Sequence, residues 1–231
     1  MIDLHGFADQ LLLGTLMTIR VAIGALALGL LLGLLGAIGK LSKSRTARAV
    51  AGAYTTIIRG LPELLVVLII YFGASSILTS IASNFGGGRF VEISPYMSGV
   101  IALGLTFGAY ATEVFRGAFL AIPVGQAEAA KALGMHPWQV FRLVTLPQLW
   151  RIALPGLGNL FLVLLKDTSL VSIIGLEELM RQTKVAVSFS KEPFTFYLVA
   201  AIIYLLLTII TMRVLHKAEQ RAARGIERSH G

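Results

Sequence analysis

The sequence predicts an all-α integral membrane protein with five transmembrane helices. The chain has 231 residues, of which 56% are hydrophobic and only 14% are charged, a composition far more apolar than that of soluble domains. The apolar residues form five long stretches, each able to cross a hydrocarbon core of about 30 Å as a helix. Helices are expected because they satisfy their own backbone hydrogen bonds, and the short alternating segments of a membrane β-barrel are absent from the sequence.

The five predicted spans are rich in Leu, Ile, Val, Ala and Gly. They cover residues 11–38, 54–82, 96–120, 152–175 and 195–215, with a polar connection at 121–151. The N-terminal residues lack a basic segment and the first apolar stretch is long, so we interpret it as a retained span and not as a signal peptide. We therefore expect one transmembrane domain over residues 1–231.

The basic residues predict the orientation in the membrane, since cytoplasmic connections carry an excess of Lys and Arg. Fourteen of the 20 lie in one set of connections and in the tail: Lys40, Lys43, Arg45, Arg48, Arg59, Arg116, Lys131, Arg142, Arg151, Arg213, Lys217, Arg221, Arg224 and Arg228. The opposite set holds Arg20, Arg89, Lys166, Arg181, Lys184 and Lys191. The N-terminus is thus expected outside and the C-terminus in the cytoplasm. An odd number of spans cannot form two equal inverted halves, so a two-fold pore would need a second chain.

Several other classes of protein are disfavoured. The net charge of +8 is explained by cytoplasmic connections beside a lipid bilayer, so we expect no nucleic-acid partner. The sequence contains no Cys, which excludes thiolate metal sites and disulfides. The four histidines, His5, His136, His216 and His230, are scattered, and we expect no metal site. No His-Glu-x-x-His or Gly-x-Ser-x-Gly motif is present, so no catalytic residues are expected and the chain is not interpreted as an enzyme.

The polar connection holds the segment that bears most directly on function. Residues 127–133 are strong helix formers, and Gly134 follows them as a stop signal. Pro137 can begin a second helical segment, which Pro147 is expected to end. Small Ala residues would let the first helix lie in a groove of a partner, with Glu128 as a charged anchor. These residues alone fit a docking helix or a surface helix without a partner equally well.

Charged residues within spans are expensive and are candidates for function. Arg59 and Glu63 are four residues apart on one predicted helical face, with Pro62 between them bending the inner end of the second span. We favour a structural role for these three residues. Glu113 and Arg116 are three apart in the third span, and we expect a pair that positions the polar connection more than a contact with substrate.

The fourth span is expected to line a transport pathway. Pro155, Gly156 and Gly158 would weaken the start of its helix. Its polar residues are Asn159, Lys166, Asp167, Thr168 and Ser169. Such residues are tolerated at this depth when they line a cavity or are buried against protein. The alternative is that Lys166 and Asp167 neutralise one another at a contact between subunits.

The polar connection resembles a known signature. Glu128-Ala129-Ala130, three residues, Gly134, nine residues and then Val144-Thr145-Leu146-Pro147 are similar to the EAA motif of binding-protein-dependent ABC importers. Val144 stands where that family more often has Ile. Residues 56–63, 108–117 and 153–159 resemble the polar amino-acid branch, in particular the Q-type permease subunits for histidine, octopine or nopaline. The resemblance extends from Leu11 to about Arg213.

This resemblance implies an ABC type I permease fold in the bacterial inner membrane. It assigns the contact with a separate ATPase dimer to Glu128, Ala129, Ala130, Gly134, Leu146 and Pro147. ATP and Mg would be bound by that ATPase, and this chain would hold no cofactor. The other implied partners are a periplasmic amino-acid-binding protein and a second permease subunit, with a heterodimer favoured and a homodimer as the alternative.

The expected function is import of a polar, basic amino acid (histidine, arginine, lysine or ornithine) or an opine by alternating access. In the resembled branch, the position after Asn159 is acidic in some subunits for basic amino acids, whereas this chain has Leu160. Either the second permease subunit supplies the acid, which we favour, or the substrate is not cationic. The other reading of the chain is a stand-alone channel or secondary transporter, against which the five spans and the EAA spacing argue.

Overall fold

A computed structural model describes residues 4–84 and 93–222. The helices are α1 (Ala8–Leu41), α2 (Arg45–Gly60), α3 (Glu63–Leu68), α4 (Ala74–Asn84), α5 (Pro95–Ala121), α6 (Val124–Ala132), α7 (Pro137–Val140), α8 (Leu146–Asp167), α9 (Leu179–Ser190) and α10 (Pro193–Ala222). π-helical turns at Ile69–Gly73 and Phe141–Thr145 join α3 to α4 and α7 to α8, and a 3₁₀ segment, Thr168–Ile174, follows α8. Arg89, Arg224, Arg228 and His230 lie outside the described residues.

Four helical segments of the described chain are long and apolar enough to cross a membrane: Ala8–Leu41, Pro95–Ala121, Pro137–Ile174 and Pro193–Ala222. A fifth candidate is the pair Arg45–Gly60 and Glu63–Ile77, which passes the same test as a unit and is bent by 110°. The fold is therefore an all-helical bundle with four spans, or five if the bent pair crosses as one. We call the end that holds Leu41 and α6 the inner end, following the predicted orientation, and the opposite end the outer end.

The span predicted over residues 54–82, with a bend at Pro62, is broken there into two helices that meet at an angle of 110°. Leu61 has extended backbone angles, φ −104° and ψ 144°, and Pro62 is the N-cap of α3. Proline disfavours the helical conformation of the residue before it, which explains the break. Arg59 in α2 and Glu63 in α3 consequently do not share a helical face.

The prediction that Pro147 ends a helical segment is also wrong. The backbone stays helical from α7 through the second π-helical turn into α8, because the N–H of Leu146 bonds to the carbonyl of Phe141, five residues back. A π-helical turn is wider than an α-helical turn, which gives the proline ring room that a regular helix lacks. Residues 137–167 thus form one helical rod that runs from the inner end into the bundle.

Small residues on α1 allow it to lie close against α5. A Cβ atom on Gly29 would come within 2.6 Å of the Phe107 ring, and one on Gly33 would come within 2.6 Å of the Ala111 methyl group. A Cβ on Gly36 would meet the Thr112 hydroxyl group. Without a hydrophobic driving force between helices in lipid, such close backbone approach is the main source of packing energy. The α1–α5 contact therefore forms the core of the bundle.

The glycines near the start of the fourth span have a packing role. The helix α8 continues through Pro155, contrary to the expected weakening. A Cβ on Gly156 would lie 2.9 Å from Val114 of α5, and one on Gly158 would lie 3.2 Å from Leu215 of α10. These two glycines let α8 lie between α5 and α10.

A buried carboxyl group holds α9 at the outer end. Glu178, in the connection before α9, is fully buried and accepts hydrogen bonds from the N–H groups of Met180 and Arg181 at 3.0 and 2.9 Å. The hydroxyl groups of Thr18 in α1 and Tyr204 in α10 donate to it at 3.4 and 3.3 Å. Burial raises the pKa of Glu178 to about 7, and the hydrogen bonds oppose this rise. One side chain thus joins α9 to α1 and α10.

We predict that Gly36→Ala lowers the melting temperature of the purified transporter, because a Cβ at this position collides with Thr112. Overpacking of this kind costs about 1–3 kcal/mol. Gly52→Ala in α2 is the matched control, since a Cβ there has no atom within 4 Å and the exchange raises helix propensity by about 1 kcal/mol. Equal melting temperatures for the two variants would contradict the close α1–α5 contact.

We also predict that Glu178→Gln flattens the pH dependence of stability. The folded protein retains the Glu178 proton up to a pKa of about 7, whereas the unfolded chain loses it near the ordinary value of about 4.3. The free energy of unfolding should therefore fall by about 1–3 kcal/mol as pH rises through this window. Melting temperatures at pH 5 and pH 8 measure this slope, with the exposed Glu177→Gln as control. The same slope in Glu178→Gln and wild type would exclude this titration.

Candidate functional site

The first helix of the polar connection ends in a glycine-dependent cap. After α6, Gly134 adopts a φ of +82°. Its N–H bonds to the carbonyl of Lys131 at 2.9 Å, and the N–H of Met135 bonds to the carbonyl of Ala130 at 3.2 Å. This pair of bonds is the Schellman arrangement, which satisfies the last carbonyl groups of a helix and requires a left-handed residue. Glycine adopts that conformation without a steric penalty.

A second local device fixes the start of α7. The Nδ1 atom of His136 accepts a hydrogen bond from the N–H of Trp138 at 3.4 Å. The side-chain oxygen of Gln139 in turn accepts from the N–H of His136 at 2.8 Å. This reciprocal capping box defines the direction in which α7 leaves the turn. The sequence interpretation gave His136 no role, although its position before Pro137 and three residues before Gln139 is a recognisable start signal.

The polar connection exposes apolar side chains. Leu133 is 85% exposed and Trp138 is 60% exposed, and Val124 and Leu143 are also exposed. Of the six residues assigned to ATPase contact, Glu128, Ala129, Gly134, Leu146 and Pro147 are exposed and Ala130 is buried. Exposed large apolar side chains of this kind are candidates for contact with another protein or with the membrane surface.

A neutral hydrogen bond links α6 to the fourth span. The amide nitrogen of Gln148 in α8 donates to the side-chain oxygen of Gln126 in α6 at 2.8 Å. The same nitrogen donates to the carbonyl of Val144 at 2.8 Å. Gln148 lies within the helical rod of residues 137–167, so this bond joins α6 to that rod.

An ion network lies near the inner ends of α1 and α5. The Nε atom of Arg116 donates to Glu113 at 2.9 Å. The other oxygen of Glu113 is paired with the ammonium group of Lys40 at the end of α1. The sequence interpretation paired Glu113 with Arg116 and missed Lys40. Lys40 lies 73 residues from Glu113, too far along the chain for local spacing to indicate the contact.

A cavity of about 190 Å³ lies among α3, α5 and α8. It is lined by Glu63, Leu103, Thr106, Phe107, Tyr110, Leu160, Val163, Leu164 and Asp167. Neither Glu63 nor Asp167 has a side-chain hydrogen bond or an ion pair within the described residues. The Arg59 guanidinium lies 5.2 Å from the centre of the Tyr110 ring, a cation–π distance. The cavity therefore combines two unpaired carboxyl groups with an aromatic wall.

The residues that were predicted to line the transport pathway lie in different places in the structure. Leu160 and Asp167 line the cavity. Asn159 lies on another face of α8, in a groove shared with α10. Lys166 is exposed and forms no ion pair with Asp167 within the described residues, although the two charges interact electrostatically.

The remaining two predicted pathway residues follow α8. Thr168 is fully buried, and its hydroxyl group donates to the carbonyl of Leu165 at 2.7 Å. Ser169 is partly buried. Glu63, expected to act structurally with Arg59, lies instead with Asp167 in the cavity. The sequence interpretation missed Thr106 and Tyr110, which gave no signal because a polar residue in an apolar helix fits many environments.

Comparison with known proteins identifies the family of this bundle. Residues 26–224 match the family described as binding-protein-dependent transport system inner membrane component. The chain belongs to this family, and it is a permease subunit located in the inner membrane.

Individual relatives cover almost the whole chain. The octopine transport system permease protein OccQ of Rhizobium radiobacter is 45% identical over 96% of this chain and 94% of its own. The histidine/lysine/arginine/ornithine transport system permease protein HisQ of Escherichia coli (strain K12) is 42% identical over 98% and 99%. The arginine ABC transporter permease protein ArtQ of the same strain is 46% identical over 90% and 92%.

Solved structures have the same architecture. A crystal structure of an amino acid ABC transporter with histidines contains a chain that is 33% identical, with a TM-score of 0.79 over 96% of this chain and 99% of that one. A chain of the MetNI methionine ABC transporter is 17% identical, with a TM-score of 0.66 over 96% and 97%. The latter shows a shared fold alone.

We predict that Gly134→Val abolishes substrate transport while the permease stays in the membrane. A β-branched residue at a φ of +82° costs about 1–2 kcal/mol or more, so the cap would rearrange and the exposed surface of the connection would shift. The measurement is substrate uptake, with the amount of ATPase that co-purifies with the tagged permease as the second readout. Gly125→Val is the control, because a Cβ there has no atom within 4 Å and its φ is not positive. Normal uptake by Gly134→Val would show that coupling does not require a rigid turn at Gly134.

Proposed function

We propose that this permease subunit imports a basic amino acid or an opine, and that the cationic group of the substrate passes through the cavity of Glu63 and Asp167. Two carboxyl groups that form no ion pair within the described residues line this cavity, and the exposed Lys166 acts on Asp167 only at longer range. Charged groups inside membrane spans are expensive, and those without a structural partner are candidates for substrate contact. The named substrates of the relatives, octopine and histidine, lysine, arginine or ornithine, support the same chemistry.

The cavity changes the interpretation of Leu160, which stands where some related subunits for basic amino acids have an acidic residue. An acidic residue at that place would face the same cavity that Glu63 and Asp167 already line. The negative charge is then supplied from α3 and from the end of α8, within this chain. A second permease subunit is therefore not needed as the source of the acid, and a cationic substrate remains compatible with Leu160.

The wall beside the carboxyl groups suits an aliphatic or aromatic side chain that ends in a cation. Leu103, Phe107 and Val163 supply apolar surface, which would hold the stem of a lysine, arginine or histidine side chain. Tyr110 supplies a π face, one side of which Arg59 already occupies. Val163 is 47% exposed although it lines the cavity, so one side of the cavity is open to a neighbour. In our proposal a second permease subunit closes this side, a heterodimer being favoured and a homodimer being the alternative.

Coupling to ATP would run along the helical rod of residues 137–167. A separate ATPase dimer binds ATP and Mg and docks on α6, at the exposed surface around Glu128 and Leu133. Gln126 passes the displacement of α6 to Gln148 through the amide hydrogen bond. Asp167 lies 19 residues further along the rod, about 28 Å at the rise of an α-helix. A rigid rod of this length can tilt the cavity between inward and outward access.

The outer end would receive substrate from a periplasmic binding protein. The helix α9 lies between two predicted spans and carries the exposed basic residues Arg181 and Lys184 at a shallow groove with Phe189. Glu178 anchors α9 to α1 and α10, so a protein that docks on α9 could act on both spans. This arrangement supports delivery at the outer end and release at the inner end.

The proposal predicts that Glu63→Gln and Asp167→Asn selectively weaken transport of cationic substrates. Loss of a charge-assisted contact costs about 1.5–3 kcal/mol, equivalent to a rise of roughly 10- to 100-fold in the KM for arginine uptake by the complete transporter in proteoliposomes. Glutamine uptake under the same conditions should change much less. Glu177→Gln is the control, since this carboxyl group is exposed outside the cavity.

Two results would contradict the proposal. An unchanged KM for arginine in both cavity variants would show that the carboxyl groups do not meet the substrate. An equal loss of arginine and glutamine uptake would indicate a structural role. Melting temperatures of the purified variants separate the second result from a general loss of folding.

A further inference from the structure

An apolar groove on the membrane-facing side of the bundle has no role in the proposed transport cycle. It has a volume of about 330 Å³ and lies among α1, α8 and α10. Its lining includes Leu30 of α1, Trp150 and Phe161 of α8, and Ile210 and Val214 of α10. Thr211 is the polar residue among its lining residues. The groove is separate from the cavity of Glu63 and Asp167, which α3, α5 and α8 form.

The groove matches the length of one leaflet of the bilayer. Trp150 lies near the inner start of α8, and Phe161 lies eleven residues further along the same helix. This distance is about 16 Å along an α-helix, and half of the hydrocarbon core is about 15 Å. Trp150 is 45% exposed, and tryptophan is enriched at the level of lipid headgroups. The groove therefore extends from the inner interface to the middle of the bilayer.

Basic residues continue the groove beyond its inner mouth. Val214 lines the mouth and is 61% exposed. Lys217 and Arg221 follow at three and seven residues, on the same face of α10, and both are exposed. Glu219, the acidic residue nearest to them on α10, lines the other groove, with Asn159 and His216. The inner mouth is thus apolar towards the bilayer and positively charged at the headgroup level.

We propose that this groove binds one phospholipid of the inner leaflet, with an acyl chain along Trp150 and Phe161 and an anionic headgroup at Lys217 and Arg221. Anionic lipid surfaces attract each nearby Lys or Arg by an amount equivalent to about a fivefold gain in binding. A zwitterionic lipid would fill the groove equally well but would lack the headgroup contact. The bound lipid wedges between α1 and the α8–α10 pair and fills space that would otherwise leave apolar side chains without partners.

The two tryptophans of this chain provide a direct test. Trp150 lines the groove, whereas Trp138 lies in the polar connection. The complete transporter is placed in nanodiscs that contain a small, equal fraction of either brominated phosphatidylglycerol or brominated phosphatidylcholine. The fluorescence difference between wild type and Trp150→Phe isolates the quenching of Trp150. We expect phosphatidylglycerol to quench Trp150 about 25-fold more effectively than phosphatidylcholine at limiting lipid, because Lys217 and Arg221 each contribute about fivefold.

Variants separate a specific site from general contact with lipid. Lys217→Ala should lower the headgroup preference about fivefold, and Val214→Phe should reduce quenching by both lipids because the larger ring blocks the mouth. The controls are Lys43→Ala in the connection after α1 and Leu205→Phe, which is an exposed position on the opposite face of α10 from Ile210 and Val214. Equal quenching by the two lipids would contradict the proposal, since it would show that Trp150 contacts ordinary annular lipid and not a specifically bound phospholipid. Absence of quenching by either lipid would overturn it as well, and would show that another protein surface covers the groove.

Discussion

The hydrogen bond from the Leu146 N–H to the Phe141 carbonyl keeps the backbone helical past Pro147, and the proposed transport mechanism depends on it. A proline at this place would ordinarily kink or end the helix. The wider π-helical turn removes the conflict and makes one rod of the coupling segment and the fourth span. Gly134 and the capping box of His136 then fix how α6 joins this rod. The proposed docking surface on α6 is therefore joined by a fixed turn to the helix that lines the cavity.

The carboxyl groups of the bundle differ in the ion pairs and hydrogen bonds that offset the cost of removing them from water. Glu113 is paired with two cations, Lys40 and Arg116. Glu178 is buried but takes part in four hydrogen bonds. Glu63 and Asp167 form neither an ion pair nor a side-chain hydrogen bond within the described residues, and the exposed Lys166 acts on Asp167 only at longer range. Because removing charge from water is expensive, this contrast distinguishes groups that hold the fold together from groups that are available to a ligand.

Residue propensities and turn preferences correctly predicted the features of the structure that depend on neighbouring residues alone. The α6 helix and its end at Gly134 follow from residue propensities and a left-handed cap, and the apolar stretches located the spans. Pro62 and Pro147 show the limit of such rules. Both prolines interrupt an apolar helical pattern, yet the chain breaks at Pro62 and continues through Pro147. The outcome depends on whether a wider turn can form, and no residue pattern indicated where it would.

The candidate cavity was harder to predict for a related reason. Asp167 was found because it is a charged residue within an apolar span, and Leu160 because of the family resemblance, but Glu63 was assigned to a helical face that the break at Leu61 removes. Lys40 and Glu113 meet across 73 residues, and Thr106 and Tyr110 become relevant only when α3 packs against α5. Contacts between distant segments depend on how the helices pack. Spacing along one helix does not contain that information.

The amide bond between Gln126 and Gln148 has a consequence for how the protein responds to its surroundings. Both partners are uncharged, so neither pH nor ionic strength alters the attraction between them. The bond is also solvent-accessible, which means that water can replace either partner when the two helices separate. A hydrogen bond of this kind makes a net contribution of about 1 kcal/mol to stability. The Gly134 turn and the start of α7 therefore supply most of the stiffness between α6 and the fourth span, and the amide bond adds an alignment that salt and acidity leave unchanged.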